Sequence, residues 1–238
     1  MTPIQQLMLG VGASKKTYMD DVFSTHMYTG TGASGNTINN GIDLSGEGGL
    51  VWVKRTNGTS SGRIFDTERG GSKYSVPSDA TAQATTGNTG FNNNGFTVNE
   101  TWLDINYNTV PYAAWTFRKA PGFFDVVTWT GNGSNRTIAH SLGSVPGMIM
   151  VKRLDGVDNW VTYHRGNADS NSAGHYFLRL DTNSAKQDSS SRFNDTEPTA
   201  SVFSIGTDGG LNDNGGSYLA YLFAVSYTHL TLPTTPYV

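Results

Sequence analysis

The stretch YAAWTFRKAPGFFDVVTWTGNG, residues 112–133, decides the reading of this chain. It opens with a strand-like run in which Ala113, Trp115 and Phe117 share one face. A Pro121-Gly122 break follows, and a second strand-like run ends in Trp129-Thr130-Gly131. Alternation with period two is the mark of a strand. Both halves of the stretch recur elsewhere. Tyr112–Phe117 matches Tyr218–Phe223, and Phe124–Gly131 matches Phe23–Gly30. The stretch is therefore the seam between the end of one unit and the start of another.

Working outward, further segments recur in the same order, about 100 residues apart. Thr37-Ile38 matches Thr137-Ile138, and Leu50–Arg55 (LVWVKR) matches Met148–Arg153 (MIMVKR). Arg69-Gly70 matches Arg165-Gly166, which sets Glu68 opposite His164 and suggests a shared structural ion pair or turn contact. Phe96–Val98 matches Phe203–Ile205, and Asn106 and Asn108 match Asn212 and Asn214. The continuous apolar runs Leu50–Val53 and Met148–Val151 predict central strands, covered on both faces. Ala113, Trp115 and Phe117 are expected to face the core of the first unit, so that Trp115→Ala would cost about 3–5 kcal/mol. The polar stretches 77–94 and 181–198 read as surface loops, with a short helix as the alternative.

The expected fold is all-β: two tandem repeats, each an antiparallel β-sandwich-like unit. One larger sandwich built from both repeats is the alternative. The expected division is an N-terminal arm and docking segment at 1–21, a first repeat at 22–120, a second at 121–224 and a tail at 225–238.

Composition narrows the function. Only 15% of residues are charged, against 29 glycines and many Asn, Ser and Thr, so the polarity is of the turn-forming kind. A formal net charge of −3 gives no footing for nucleic acid as a partner. The basic pairs Lys54-Arg55, Arg118-Lys119 and Lys152-Arg153 read as strands emerging into water. With no cysteine there is no disulfide, thiolate metal site or Cys nucleophile. No apolar run reaches the roughly 20 residues of a membrane span, and no Sec-type signal is visible, so no membrane partner is expected.

Catalytic signatures are not found. There is no G-x-S-x-G elbow. Candidate carboxylates for glycoside hydrolysis are Asp66 with Glu68, Asp125, and Asp195 with Glu197, on spacing alone. His140 reads as a turn-forming or half-buried residue. Asp155–Asp158 and Asp181-Thr182-Asn183 do not match a calcium-loop pattern, so no metal and no cofactor are expected. Trp102 and Tyr107 are the candidate ligand-binding residues. They are aromatic, lie in a polar stretch, and have no aromatic counterpart in the second repeat.

The segments AWTFRKAPGFFDVVTWTGNG, NGIDLSGEGGLVWVKR, TIAHSLGSVPGMIMVKR and GGSYLAYLFA resemble a family of virion structural proteins of tailed, especially marine, bacteriophages. That family is often labelled tail-fibre-like. The resemblance covers residues 5–224. It implies a non-enzymatic structural protein of the tail or tail fibre, located in the virion after assembly in the bacterial cytoplasm. Host attachment, other tail proteins as partners, a host cell-surface glycan and self-association are the matching expectations. A carbohydrate-binding module is the alternative, and a polysaccharide depolymerase a third reading. Val225–Thr235 (VSYTHLTLPTT) resembles the translation of a transposase-derived sequencing adapter found in metagenomic assemblies, so 225–238 is expected to be non-native.

Overall fold

A computed structural model describes residues 17–85, 87–101 and 104–224. The expectations for residues 1–16 of the arm and for the tail 225–238 lie outside these residues. The first described element is one helical turn, α1 (Met19–Val22), whose Val22 is buried.

The chain then forms strands almost throughout. The first half contributes β1 (Phe23–Thr29), β2 (Asn36–Asn39), β3 (Gly49–Arg55), β4 (Arg63–Asp66), β5 (Thr89–Asn92), β6 (Gly95–Val98) and β7 (Pro111–Arg118). The second contributes β8 (Phe124–Thr130), β9 (Arg136–Ala139), β10 (Pro146–Arg153), β11 (Val161–His164), β12 (Tyr176–Arg179), β13 (Gln187–Asp188), β14 (Val202–Ile205) and β15 (Ser217–Ala224). Single helical turns are α2 (Leu44–Glu47), α3 (Ser190–Phe193) and α4 (Gly209–Asn212).

The strand order repeats. The four-stranded sheet runs β1-β7-β3-β4, and the six-stranded sheet runs β8-β15-β10-β11 before adding β12 and β13. Each half also has a small sheet, β2-β6-β5 in the first and β9-β14 in the second. Neighbouring strands pair antiparallel. The fold is all-β, and each half is a sandwich of a main sheet and a small one.

Three apolar clusters hold it together. In the first half Val51, Val53, Phe65 and Tyr112 of the main sheet meet Ile38, Phe96 and Val98 of the small sheet. In the second, Ile149, Val151, Tyr163 and Leu222 meet Ile138, Phe203 and Ile205. The third cluster lies between the halves, where Leu50 and Ile64 join Phe124, Val126, Met150, Trp160, Leu219 and Tyr221. The main sheets therefore pack back to back, with a small sheet outside each. This explains the continuous apolar runs. Leu50 turns to the other half while Val51 turns to its own small sheet, so β3 is covered on both faces.

The interface repeats its own positions. Strand register makes Leu50 equivalent to Met148, Trp52 to Met150 and Phe117 to Phe223. All six line one apolar cavity of about 230 Å³ between the main sheets. Phe117 and its equivalent Phe223 touch directly, with ring centroids 5.4 Å apart. Phe23 packs on Phe117 at 4.8 Å just as Phe124 packs on Phe223 at 5.0 Å. The halves thus meet about a pseudo-twofold axis that passes close to Phe117 and Phe223.

Four expectations need correction. The face of β7 that enters the first half's own core is Tyr112 and Ala114, not Ala113, Trp115 and Phe117. Trp115 instead lies half-buried on the opposite face, edge-on to Trp52 at 6.0 Å. Lys152 does not emerge into water: it is fully buried, and its Nζ donates to the carbonyls of Ala80 (3.0 Å) and Asp158 (2.6 Å). Its counterpart Lys54 is exposed. The polar stretches are not only surface loop: 77–94 carries β5, whose Thr89 is buried, and 181–198 carries the helical turn α3, whose Phe193 is buried in the second core. Finally, strand register sets His164 opposite Asp66, not Glu68.

Arg69 is buried against Asp66, with Nε donating to Oδ2 at 2.6 Å, whereas Arg165 is exposed. The recurring arginine does not mark a shared ion pair. Tyr221 of the second half completes the buried group, donating its hydroxyl to Asp66 Oδ2 at 2.8 Å and accepting from Arg69 at 3.1 Å.

Candidate functional site

The sequence candidates direct attention to the end of the first half, where the turn after β1 meets the loop before β7. Asn106 organises that end. It is fully buried; its Oδ1 accepts from Thr31 N–H (3.0 Å) and Asn36 Nδ2 (2.8 Å). Its Nδ2 donates to the carbonyls of Ala33 (2.8 Å) and Glu100 (3.1 Å). Gly30 makes the close approach possible, since a Cβ there would stand 2.2 Å from the Tyr107 carbonyl oxygen. Tyr28 donates its hydroxyl to Ile105 O at 2.6 Å and stacks on Tyr112, whose hydroxyl accepts the Tyr107 N–H at 3.0 Å.

The same frame stands at the end of the second half. Asn212 Oδ1 accepts from Asn132 N–H (3.0 Å), and its Nδ2 donates to Ser134 O (2.7 Å) and Gly206 O (2.8 Å). Trp129 replaces Tyr28, stacks on Tyr218 and donates its indole N–H to Leu211 O at 2.9 Å. The Tyr218 hydroxyl accepts the N–H of Asp213 at 2.8 Å. A Cβ on Gly131 would stand 2.1 Å from the Asp213 carbonyl oxygen.

On this common frame the side chains differ. Tyr107 is 39% exposed and occupies the position that Asp213 holds in the second half. Glu100 stands where the second half has Gly206. The Glu100 side chain is buried, and among the described residues neither carboxylate oxygen has a hydrogen-bond partner. Burial pushes its pKa up to about 7, against the lowering effect of nearby backbone N–H groups. Asp104 lies beside the Tyr112 hydroxyl at 3.3 Å and faces Arg55 at 3.9 Å. The exposed groups at this loop end are the ring of Tyr107 and the side chains of Asn108 and Thr109. Trp102, the other predicted ligand-binding residue, lies outside the described residues.

The remaining candidate carboxylates are built into the scaffold. Asp66 is held by Arg69 and Tyr221, while Glu68 pairs with Lys119 at 2.7 Å, so the two do not form an acid and base pair. Asp125 is buried and accepts from Ser141 N–H at 2.7 Å. Glu197 accepts from the Tyr163 hydroxyl and from Gly174 N–H, whereas Asp195 turns to His175. His140 is buried, accepts from Leu142 N–H and stacks on Phe203, and burial lowers its pKa. His164 accepts the N–H of Gly166 in the 3-10 turn that follows it. Among the described residues, His175, Asp188 and Asp195 form a group that can hold a metal ion. Sequence reading missed it because its members come from three separate segments.

Residues 19–228 match the family model described as Domain of unknown function (DUF7483). The chain belongs to that family. The DUF7483 match spans both halves, so the back-to-back pair of sandwiches lies within the family's extent. No curated protein and no solved structure matches the chain significantly. Among the described residues, no helix is long and apolar enough to cross a membrane.

Proposed function

We propose that this DUF7483 protein is a non-enzymatic structural protein of a phage virion, part of the tail or tail fibre, that displays loops for host attachment. The observation that carries this reading is the pair of matching loop ends. Asn106 and Asn212 build the same hydrogen-bonded frame, while the side chains placed on it differ between the halves. A fixed frame with variable display suits recognition, since binding residues sit disproportionately on loops held by a rigid scaffold. The scaffold roles of Asp66, Glu68, Asp125 and Glu197 favour display over hydrolysis. The segments shared with tail-fibre-like proteins supply the virion context.

Mass spectrometry of purified virions tests the location: the protein is expected among the tail components, and its absence from virions would overturn the proposal. The exposed ring of Tyr107 gives a specific footing to a second reading, a carbohydrate-binding module, because sugar rings stack on aromatic faces. A glycan array on the chain ending at Ala224 tests that reading, with Tyr107→Ala expected to lose any signal found.

A further inference from the structure

We propose that His175, Asp188 and Asp195 form a divalent-cation site of the zinc class, which fastens the outer edge of the six-stranded sheet. The three residues come from separate pieces of chain. His175 ends a 3-10 turn (Ala173–His175), Asp188 lies on the edge strand β13, and Asp195 follows α3. Their ligand atoms all lie within 4.8 Å of one another, and His175 Nδ1 stands 3.4 Å from Asp195 Oδ1. An imidazole nitrogen with two carboxylate oxygens suits Zn²⁺ and similar late divalent metals better than Mg²⁺ or Ca²⁺, which prefer oxygen alone.

Besides the contact of His175 with Asp195, bonds outside the three side chains bring them together. Ser189 N–H donates to His175 O at 3.0 Å, and Tyr176 pairs with Asp188 across β12 and β13. Gly174 lies so close to the Thr196 backbone that a Cβ would stand 2.7 Å from its carbonyl carbon, and its N–H donates to Glu197 Oε1 at 3.1 Å. The turn bearing His175 is thus packed against the turn bearing Asp195 and tied to it through the Glu197 side chain. Such preorganisation is what a metal site needs, since ligands already converged lose little freedom on binding.

Charge points the same way. The basic residues nearest in sequence are committed elsewhere: Lys186 to Asp169 at 2.6 Å and Arg192 to Asp208 at 2.6 Å. Among the described residues, no Lys or Arg forms an ion pair with Asp188 or Asp195. A divalent cation would neutralise both carboxylates and hold β13, which pairs through only Gln187 and Asp188, against the rest of the sheet.

The full chain titrated with ZnCl₂ by calorimetry, and melted with and without it, tests the proposal. Zinc is expected to bind at one site per chain and raise Tm by several degrees, with MgCl₂ doing neither. Binding should weaken at least tenfold in His175→Ala and in Asp188→Asn. His164→Ala should bind as the parent does. Asp195→Gly keeps the test independent of folding. Glycine adopts the left-handed backbone of residue 195 (φ 48°) without strain, so this variant should be at least as stable without metal yet lose the zinc response. No binding at millimolar zinc, or an unchanged affinity in His175→Ala, would overturn the proposal.

Discussion

The buried group that joins the halves invites a quantitative test. Tyr221 is fully buried and its phenol is pushed well above its ordinary pKa, chiefly by burial, so it acts as a donor at any pH near neutral. Tyr221→Phe removes one hydrogen bond to the Asp66 carboxylate (2.8 Å) and one from the Arg69 guanidinium (3.1 Å). Hydrogen bonds to charged groups contribute about 1.5–3 kcal/mol each. Asp66 keeps Arg69 Nε at 2.6 Å, and Arg69 keeps Ser75 Oγ at 2.6 Å, so neither charge is stranded. The expected loss is therefore near the lower end for two such bonds, about 3 kcal/mol. Asp66→Ala does strand a charge, leaving Arg69 buried without its carboxylate, and should cost about 3–5 kcal/mol. In that background Tyr221→Phe should cost only about 1.5 kcal/mol, because the bond from Arg69 alone is left to lose. Urea unfolding of the four proteins measures this cycle, and the shared central core predicts one cooperative transition for both halves. A Tyr221→Phe loss under about 0.5 kcal/mol, together with additive single changes, would refute the claim that these residues act as one group.

Other expectations can be checked by the same unfolding assays. Asn106→Ala and Asn212→Ala should each cost about 2–4 kcal/mol, since each leaves buried backbone groups unpaired, and the two losses should be alike because the frames are alike. Trp115→Ala should cost only about 2 kcal/mol, less than a fully buried Trp, because the ring is half-buried. Glu100 gives a pH signature. Its folded pKa lies above the unfolded value of about 4.5, so the folded state binds the extra proton. Stability from this group is full below pH 4.5 and is lost as pH rises through about 7. Glu100→Gln should flatten that slope and stabilise the chain at pH 8 by about 2 kcal/mol.

Much of the fold was legible because repeated hydrophobic patterns are local. Leu50–Val53 and Met148–Val151 announced central strands, and the ordered matches announced two equivalent halves. The side of each strand that faces the partner half was not legible. Alternation separates Tyr112 and Ala114 from Ala113, Trp115 and Phe117, yet it cannot say which face meets the small sheet when both faces are apolar. Lys152 shows a second limit. A lysine after an apolar run reads as the strand's exit into water, and only the carbonyls of Ala80 and Asp158, distant in sequence, keep it buried. The candidate loop end was partly legible. Tyr107 stood out as an aromatic without a counterpart, while Glu100 carried no local signal, its character arising from burial alone.

The pseudo-twofold packing bears on the history of the chain. Leu50, Trp52 and Phe117 in one half, and Met148, Met150 and Phe223 in the other, form an apolar patch that each half turns toward its mate. A single ancestral unit with this surface would have met a second copy of itself through the same patch, as a symmetric dimer. Within one chain that contact is intramolecular, so each side can differ from the other. The buried ion pair of Asp66 and Arg69, present in one half and replaced in the other by His164 and an exposed Arg165, is a difference that a dimer of identical units could not have kept.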